Sequence, residues 1–257
     1  MKLNKLILGL AFGTFAMAAN AGTVVSGSGL QNGLDSITNG GSFLDVNADQ
    51  HLPDEIWSLD GSFLGANRLL FELAGFATTN TFGIYDLGNT SNRLELFDGS
   101  ASAGSAIVLA RTGLTSFNIF GASSATEVTF NSVNFGFYID SSAGAGGGVF
   151  FSRSSDNAGV GDAAHNNTTD HMIAFAGDGS LALAPLPYCP LCFGSFGAGE
   201  YILAFEDTAF PGSDYDYSDM VVLVESIAPV PEPGILVLLG MGLLGFGVRR
   251  RKLKLTA

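Results

Sequence analysis

Between residues 22 and 228 the chain has no lysine, and its only arginines there are Arg68, Arg93, Arg111 and Arg153. Of the 24 acids only Glu232 falls outside that stretch, so the stretch carries a formal charge of about −19 at neutral pH. Such a surface repels nucleic acid and anionic lipid, excluding both as partners of this part of the chain, and it favours cations and solubility. Tryptophan is nearly missing as well: Trp57 stands alone, far in sequence from the later acids. Cysteine is restricted to Cys189 and Cys192. No internal repeat of fixed period appears, which argues against a solenoid or propeller. The glycine runs lack a following helix to cradle phosphate, no GxxxxGK[ST] loop is present, and no Gly-x-Ser-x-Gly elbow signals a serine hydrolase. Helical periodicity is almost absent outside the two ends.

What remains is a β composition. Gly, Ser, Ala, Thr and Asn dominate, and the apolar residues come in short runs rich in Phe, Val and Ile. These runs predict strands over 69–76, 81–85, 92–97, 106–110, 116–120, 127–139, 148–152, 171–175, 201–205 and 220–225. Turn signals separate them, among them Asp98-Gly99, Asp178-Gly179, Asn39-Gly40-Gly41 and the glycine run 144–148. In the 127–139 run, Val128, Phe130, Val133, Phe135 and Phe137 nearly share one face, with a one-residue slip after Phe130 that suggests a bulge. Stretch 140–148 reads as the connection between hairpin partners, and residues 22–228 as one all-β domain, a sandwich or jelly roll.

The two ends are built differently. Lys2 and Lys5 precede an apolar run from Leu6 to Ala18, and Ala19-Asn20-Ala21 places small residues where a signal peptidase reads them. Residues 1–21 are therefore expected to be a signal peptide cleaved after Ala21. At the other end stand Pro231-Glu232-Pro233, an apolar run from Gly234 to Val248, and Arg249, Arg250, Arg251 and Lys252. As a helix the 15-residue run reaches about 22 Å, short of a hydrocarbon core of about 30 Å. The arginines extend it by snorkelling and fix that flank in the cytoplasm. The prolines hold the preceding backbone extended for a processing enzyme. Residues 229–257 resemble the PEP-CTERM sorting signal of exported Gram-negative proteins, which a membrane-embedded exosortase processes. That resemblance implies an inner-membrane-anchored precursor in transient contact with the membrane, then a product on the cell surface or outside, where exopolysaccharide or other matrix proteins are the expected partners.

Cys189-Pro190-Leu191-Cys192 is expected to form a local disulfide in an oxidising compartment, since its proline- and glycine-rich neighbours do not start the helix a redox CxxC needs. Zinc would require two more ligands, and only His165 and His171 lie near in sequence. His165, Asp170 and His171 read as part of a hydrogen-bonded polar turn.

The densest chemistry lies in Glu206, Asp207, Asp214, Asp216 and Asp219, five acids within fourteen residues with no base among them. Asp214, Asp216 and Ser218 at alternate positions superficially spell an EF-hand loop, but Asp219 replaces its turn glycine and 220–224 reads as a strand. The hard oxygen chemistry survives that rejection, and a weak calcium site is the expectation, with backbone carbonyls near Gly212 available as further ligands. The order strand, Phe-Glu-Asp, glycine turn, Asp-x-Asp-Tyr-x-Asp, strand resembles a domain of unknown function found in secreted bacterial proteins, over about 127–227, with Ser218 where that family more often has Asn. The resemblance implies a β module of exported, often adhesive or matrix-associated proteins and supplies no activity of its own; the expectation is a non-catalytic surface or matrix protein. Two alternatives stand beside it: a purely structural surface component without a ligand, and a glycoside hydrolase using two of these carboxylates at about 5–9 Å separation.

Overall fold

A computed structural model describes residues 22–39, 44–61, 63–71, 78–144, 147–159, 163–165, 169–184 and 194–231. The expected signal peptide, the cysteine pair and the apolar run 234–248 lie outside the described residues, and among the described residues no helix is long and apolar enough to cross a membrane. One helix, α1 (Gly29–Ile37), precedes the strands β1 (Thr38–Asn39), β2 (Trp57–Leu59), β3 (Leu64–Phe71), β4 (Thr81–Asp86), β5 (Asn89–Phe97), β6 (Ala106–Arg111), β7 (Ser116–Ile119) and β8 (Val128–Thr129). Then follow β9 (Gly136–Asp140), β10 (Val149–Phe151), β11 (Met172–Ala176), β12 (Leu181–Leu183), β13 (Gly194–Phe196), β14 (Glu200–Phe205), β15 (Met220–Glu225) and β16 (Ile227–Pro229).

The central layer is a seven-stranded antiparallel sheet in the order β11-β14-β15-β3-β6-β7-β8. Its middle strands are buried on both faces, which is why they read as unbroken apolar runs. Along β14, Tyr201, Leu203 and Phe205 enter one core and Ile202 and Ala204 the other. Met220, Val222 and Val224 of β15 likewise oppose Val221 and Leu223. A four-stranded sheet, β10-β9-β4-β5, covers the first face. There Phe82 stacks on Phe137 at 5.5 Å and meets Phe205 edge-on at 5.7 Å, joining the two sheets as in a sandwich. Burying each such ring is worth about 1.5–3 kcal/mol. Helix α1, with segment 44–46, β12 and β13, covers the second face.

The helix corrects the expectation that helical periodicity is confined to the ends. Its buried residues, Leu30, Leu34 and Ile37, are spaced i, i+4, i+7. The glycines and Asn between them mask the pattern in composition. The single strand expected over 127–139 is also two, because 131–134 leaves the ladder: Ser132 Oγ donates to the Asn134 carbonyl (2.8 Å) and accepts from its N–H (3.0 Å). Side-chain bonds of this kind compete with strand pairing, and Val133 is 37% exposed instead of sharing the core face. The run predicted at 69–76 begins earlier, at Leu64. The 140–148 hairpin is present, with Val149 opposite Asp140.

Candidate metal centre

The register of the β14–β15 hairpin builds the site. Phe205 pairs with Met220, so Glu206 and Asp207 leave the sheet directly opposite Asp219. The Asp207 N–H donates to Asp219 Oδ2 (2.9 Å), and the Glu206 N–H to the His171 carbonyl on the neighbouring β11 side (3.0 Å). Glu206 is thereby held inside the fold at 0% exposure, with Asp207 at 3% and Asp219 at 9%. Their carboxylate oxygens come within 4.8 Å of one another.

The 14-residue connection returns through Asp214-Tyr215-Asp216-Tyr217-Ser218. Tyr215 and Tyr217 take left-handed φ values of 59° and 53°, rarely adopted by non-glycine residues, and bury their rings in the second core. Asp214 and Asp216 are left on the opposite side, exposed and half-buried, where one oxygen of each lies within 4.8 Å of Glu206. The two aspartates converge through alternating left-handed tyrosines and not through an extended strand. Asp216 Oδ1 accepts both the Ser218 N–H (2.8 Å) and hydroxyl (2.9 Å). Ser218 thus orients a neighbouring carboxylate.

A column of rings clamps this loop. Phe150, His171, Phe210, Tyr215 and His165 stack in that order with centroids 4.0, 4.0, 4.5 and 3.8 Å apart. His165 and His171 are therefore separated by two rings and do not converge on one ion. Burial pushes the His171 imidazole down to about 4, so it is neutral, and its Nδ1 lies 3.1 Å from the Glu206 carbonyl, which requires the proton on Nδ1. The N-terminal segment closes the loop from outside, through the Ser26 N–H to the Tyr215 carbonyl (2.8 Å) and Ser26 Oγ to His165 Nε2 (2.9 Å).

Charge is uncompensated here. Burial first, then Asp214, pushes Glu206 up to about 7, an effect the nearby Ser213 hydroxyl offsets only in part. Burial, Glu206 and Asp207 push Asp219 up to about 9, and burial and Asp216 raise Asp214. Among the described residues neither oxygen of Glu206 has a hydrogen-bond partner of good geometry, the Ser213 hydroxyl lying close without completing such a bond. A buried acceptor in that state costs about 1–3 kcal/mol, more if charged.

Sequence reasoning missed several participants. Asn80, 127 positions away, donates from Nδ2 to Asp207 Oδ2 (2.8 Å), a pairing made only by the fold. Helix α1 begins beside the loop: a Cβ at Gly29 would lie 3.3 Å from Asp216 Oδ2. A second acidic pair was also invisible. Burial and Asp170 raise buried Asp54, and burial pushes Asp170 up to about 7, against the Met172 N–H and Thr23 hydroxyl that it accepts. Trp57 is fully buried against Phe137 and Tyr201 and offers no platform for a sugar ring.

The C-terminal edge carries the deciding observation on identity. β16 pairs with β2, Pro229 opposite Trp57, and the Val230 N–H donates to the Ile56 carbonyl (2.7 Å) before the chain emerges at exposed Pro231. The family model of the PEP-CTERM protein-sorting motif matches residues 229–252. The chain carries a PEP-CTERM sorting signal. Such a signal marks an exported protein handed to an exosortase, and in this chain it starts on a strand of the folded body, with no spacer between Val230 and the Pro-Glu-Pro triplet. No curated protein and no solved structure matches the chain.

Proposed function

We propose that this PEP-CTERM protein is a non-catalytic component of the cell surface or extracellular matrix whose β body is locked by calcium at the β14–β15 connection. One observation carries the reading: Glu206, Asp207 and Asp219 are buried together, with both Glu206 oxygens unpartnered. Three ionised carboxylates in one dry site need a cation or protons, and oxygen ligands alone favour a hard divalent ion. Calcium at 2.3–2.6 Å from each ligand seats oxygens up to about 5 Å apart, the span found here.

Burial also supports a non-catalytic role. A hydrolase must bring one carboxyl to a glycosidic oxygen, whereas Glu206 and Asp207 are sealed from any polymer. The body presents an acidic surface to exopolysaccharide or matrix proteins after exosortase and signal peptidase have released it from the inner membrane.

Thermal melting in millimolar calcium and in chelator tests the reading. Affinity in the range of extracellular modules, a Kd of about 10⁻⁴ to 10⁻³ M, gives about 2.7 kcal/mol of stabilisation at 100 times Kd. Asp214→Asn/Asp216→Asn should blunt that response. An unchanged midpoint in the unaltered protein would leave a structural component without a ligand; sugar release that Glu206→Gln abolishes would restore the hydrolase.

A further inference from the structure

We infer that the site is binuclear: two calcium ions bridged by Glu206, one in a buried inner seat with Asp207 and Asp219, the other in a solvent-facing outer seat with Asp214 and Asp216. The inference rests on the calcium reading and adds the number of ions, their arrangement and their order of exchange.

The five acids are not one ring of ligands. They fall into two sets, Glu206-Asp207-Asp219 and Glu206-Asp214-Asp216, each with oxygens within 4.8 Å of one another, and Glu206 is the member common to both. A carboxylate has two oxygens, each able to hold a cation. Both Glu206 oxygens are fully buried and, among the described residues, neither is engaged in a hydrogen bond of good geometry, so both can serve as ligands.

The remaining members are oriented from behind. Asp207 accepts Asn80 Nδ2 on Oδ2 and the Thr208 hydroxyl on Oδ1 (3.1 Å), and Asp219 accepts the Asp207 N–H. In the outer seat, Ser218 engages only Oδ1 of Asp216. Hydrogen bonds to ligating carboxylates orient them before the ion arrives.

Charge decides between one ion and two. Five ionised carboxylates carry five negative charges, so one dication leaves three uncompensated beside the core, while two leave a single charge for solvent to screen near exposed Asp214. The seats also differ in access. Every inner ligand is buried, whereas the outer seat opens through Asp214. The outer ion exchanges first and the inner one slowly.

Equilibrium dialysis of the full chain in detergent against labelled calcium, with native mass spectrometry as a second count, tests this. The expected count is two ions per chain, one in Asp214→Asn/Asp216→Asn, and at most one weakly held ion in Glu206→Gln. Chelator should strip the ions in two phases, and the outer-seat variant should lose the fast one. A count of one in the unaltered chain would overturn the binuclear arrangement and leave calcium binding standing, whereas a count of zero would remove both. Two ions persisting in Glu206→Gln would overturn the bridge, and two in the outer-seat variant would overturn the assignment of the outer seat. The outer substitutions lie on exposed and half-buried positions, so their count is readable even if Glu206→Gln fails to fold.

Discussion

The acids packed against the four-stranded sheet and those of the β14–β15 connection face the same problem of unbalanced charge and meet it in opposite ways. Asp140 meets Arg93 at 3.3 Å, and Asp156 takes Arg153 through two nitrogens at 2.8 and 2.7 Å while also accepting the Tyr85 hydroxyl. Arg111 lies over the Phe63 ring at 4.7 Å, and Arg68 offsets the raised Glu225. All four arginines of the body are thereby committed on sites away from Glu206, Asp207, Asp214, Asp216 and Asp219. Where a guanidinium is present the acid is held by a fixed internal charge; where it is absent, the proposed calcium ions would meet the same need. On the calcium proposal, a fold with no lysine in residues 22–228 is tied in this way to the ions of its medium.

The comparison breaks or holds most visibly with pH. Glu206, about 7, and Asp219, about 9, have folded pKa values above their unfolded ones, so the calcium-free native state keeps protons that the unfolded chain has released. The stability they contribute is complete below about pH 4 and is lost as pH rises through 7 and towards 9. His171 runs the other way: its folded value near 4 costs stability only below its ordinary value of 6.5, so above that pH it drops out. Chelated protein should therefore lose on the order of 3 kcal/mol between pH 6.5 and 9, at 1.36 kcal/mol per unit of difference. Saturating calcium, which displaces those protons, should remove most of that slope. A residue of slope should survive from Asp170 and Asp54, and Asp54→Asn should remove only the part that Asp54 contributes, since burial is what raises Asp170. Equal slopes with and without calcium would sink the contrast.

How much of this was legible in the sequence follows the range of the interactions. The ten predicted runs became strands, 127–139 as two, because hydrophobic runs and turn residues act locally, and the five acids are legible because they lie within fourteen residues. The short strands β1, β12, β13 and β16 left no pattern, having two or three residues each. Helix α1 was hidden by Gly29, Gly33 and Asn32 around a correct i, i+4, i+7 stripe. The division of the acids into two sets was unreadable, since it depends on the Phe205–Met220 register and on left-handed Tyr215 and Tyr217. Asn80 and Asp54 carry no sequence signal of their role at all.

On the arginine-paired side the effects should be smaller and indifferent to calcium. Arg153 and Asp156 side chains are only 23% and 12% exposed, and Arg153 also donates to the Leu87 carbonyl (2.8 Å). Arg153→Ala leaves a half-buried carboxylate with the Tyr85 hydroxyl as its remaining side-chain donor. The expected loss is about 2 kcal/mol, between the values for exposed and buried pairs, read as a lower urea midpoint at unchanged slope. The loss should be the same in calcium and in chelator. A loss that appears only in chelator would mean that the two regions are coupled and do not hold their acids independently.

Arg93 should show the smallest effect. Its pair with Asp140 is about a quarter exposed on both sides, so water screens most of the attraction. Yet the guanidinium is not idle, since Nε donates to the Thr90 carbonyl at 2.6 Å and the group lies 5.2 Å from the Tyr138 ring centroid and 5.5 Å from that of Phe151. Charge and planarity then make separate contributions, and two substitutions divide them. Arg93→Lys keeps the charge near Asp140 but loses the flat donor over the rings, and Arg93→Ala loses both. Both losses should stay below about 1 kcal/mol, the alanine variant slightly the larger, and raising salt to 1 M should narrow the difference between them, because only the ion pair is screened. A lysine variant as weak as alanine at low salt would place the whole contribution in the ring contacts, and Asp140 would then join the acids of the β14–β15 connection as a carboxylate without an effective internal partner.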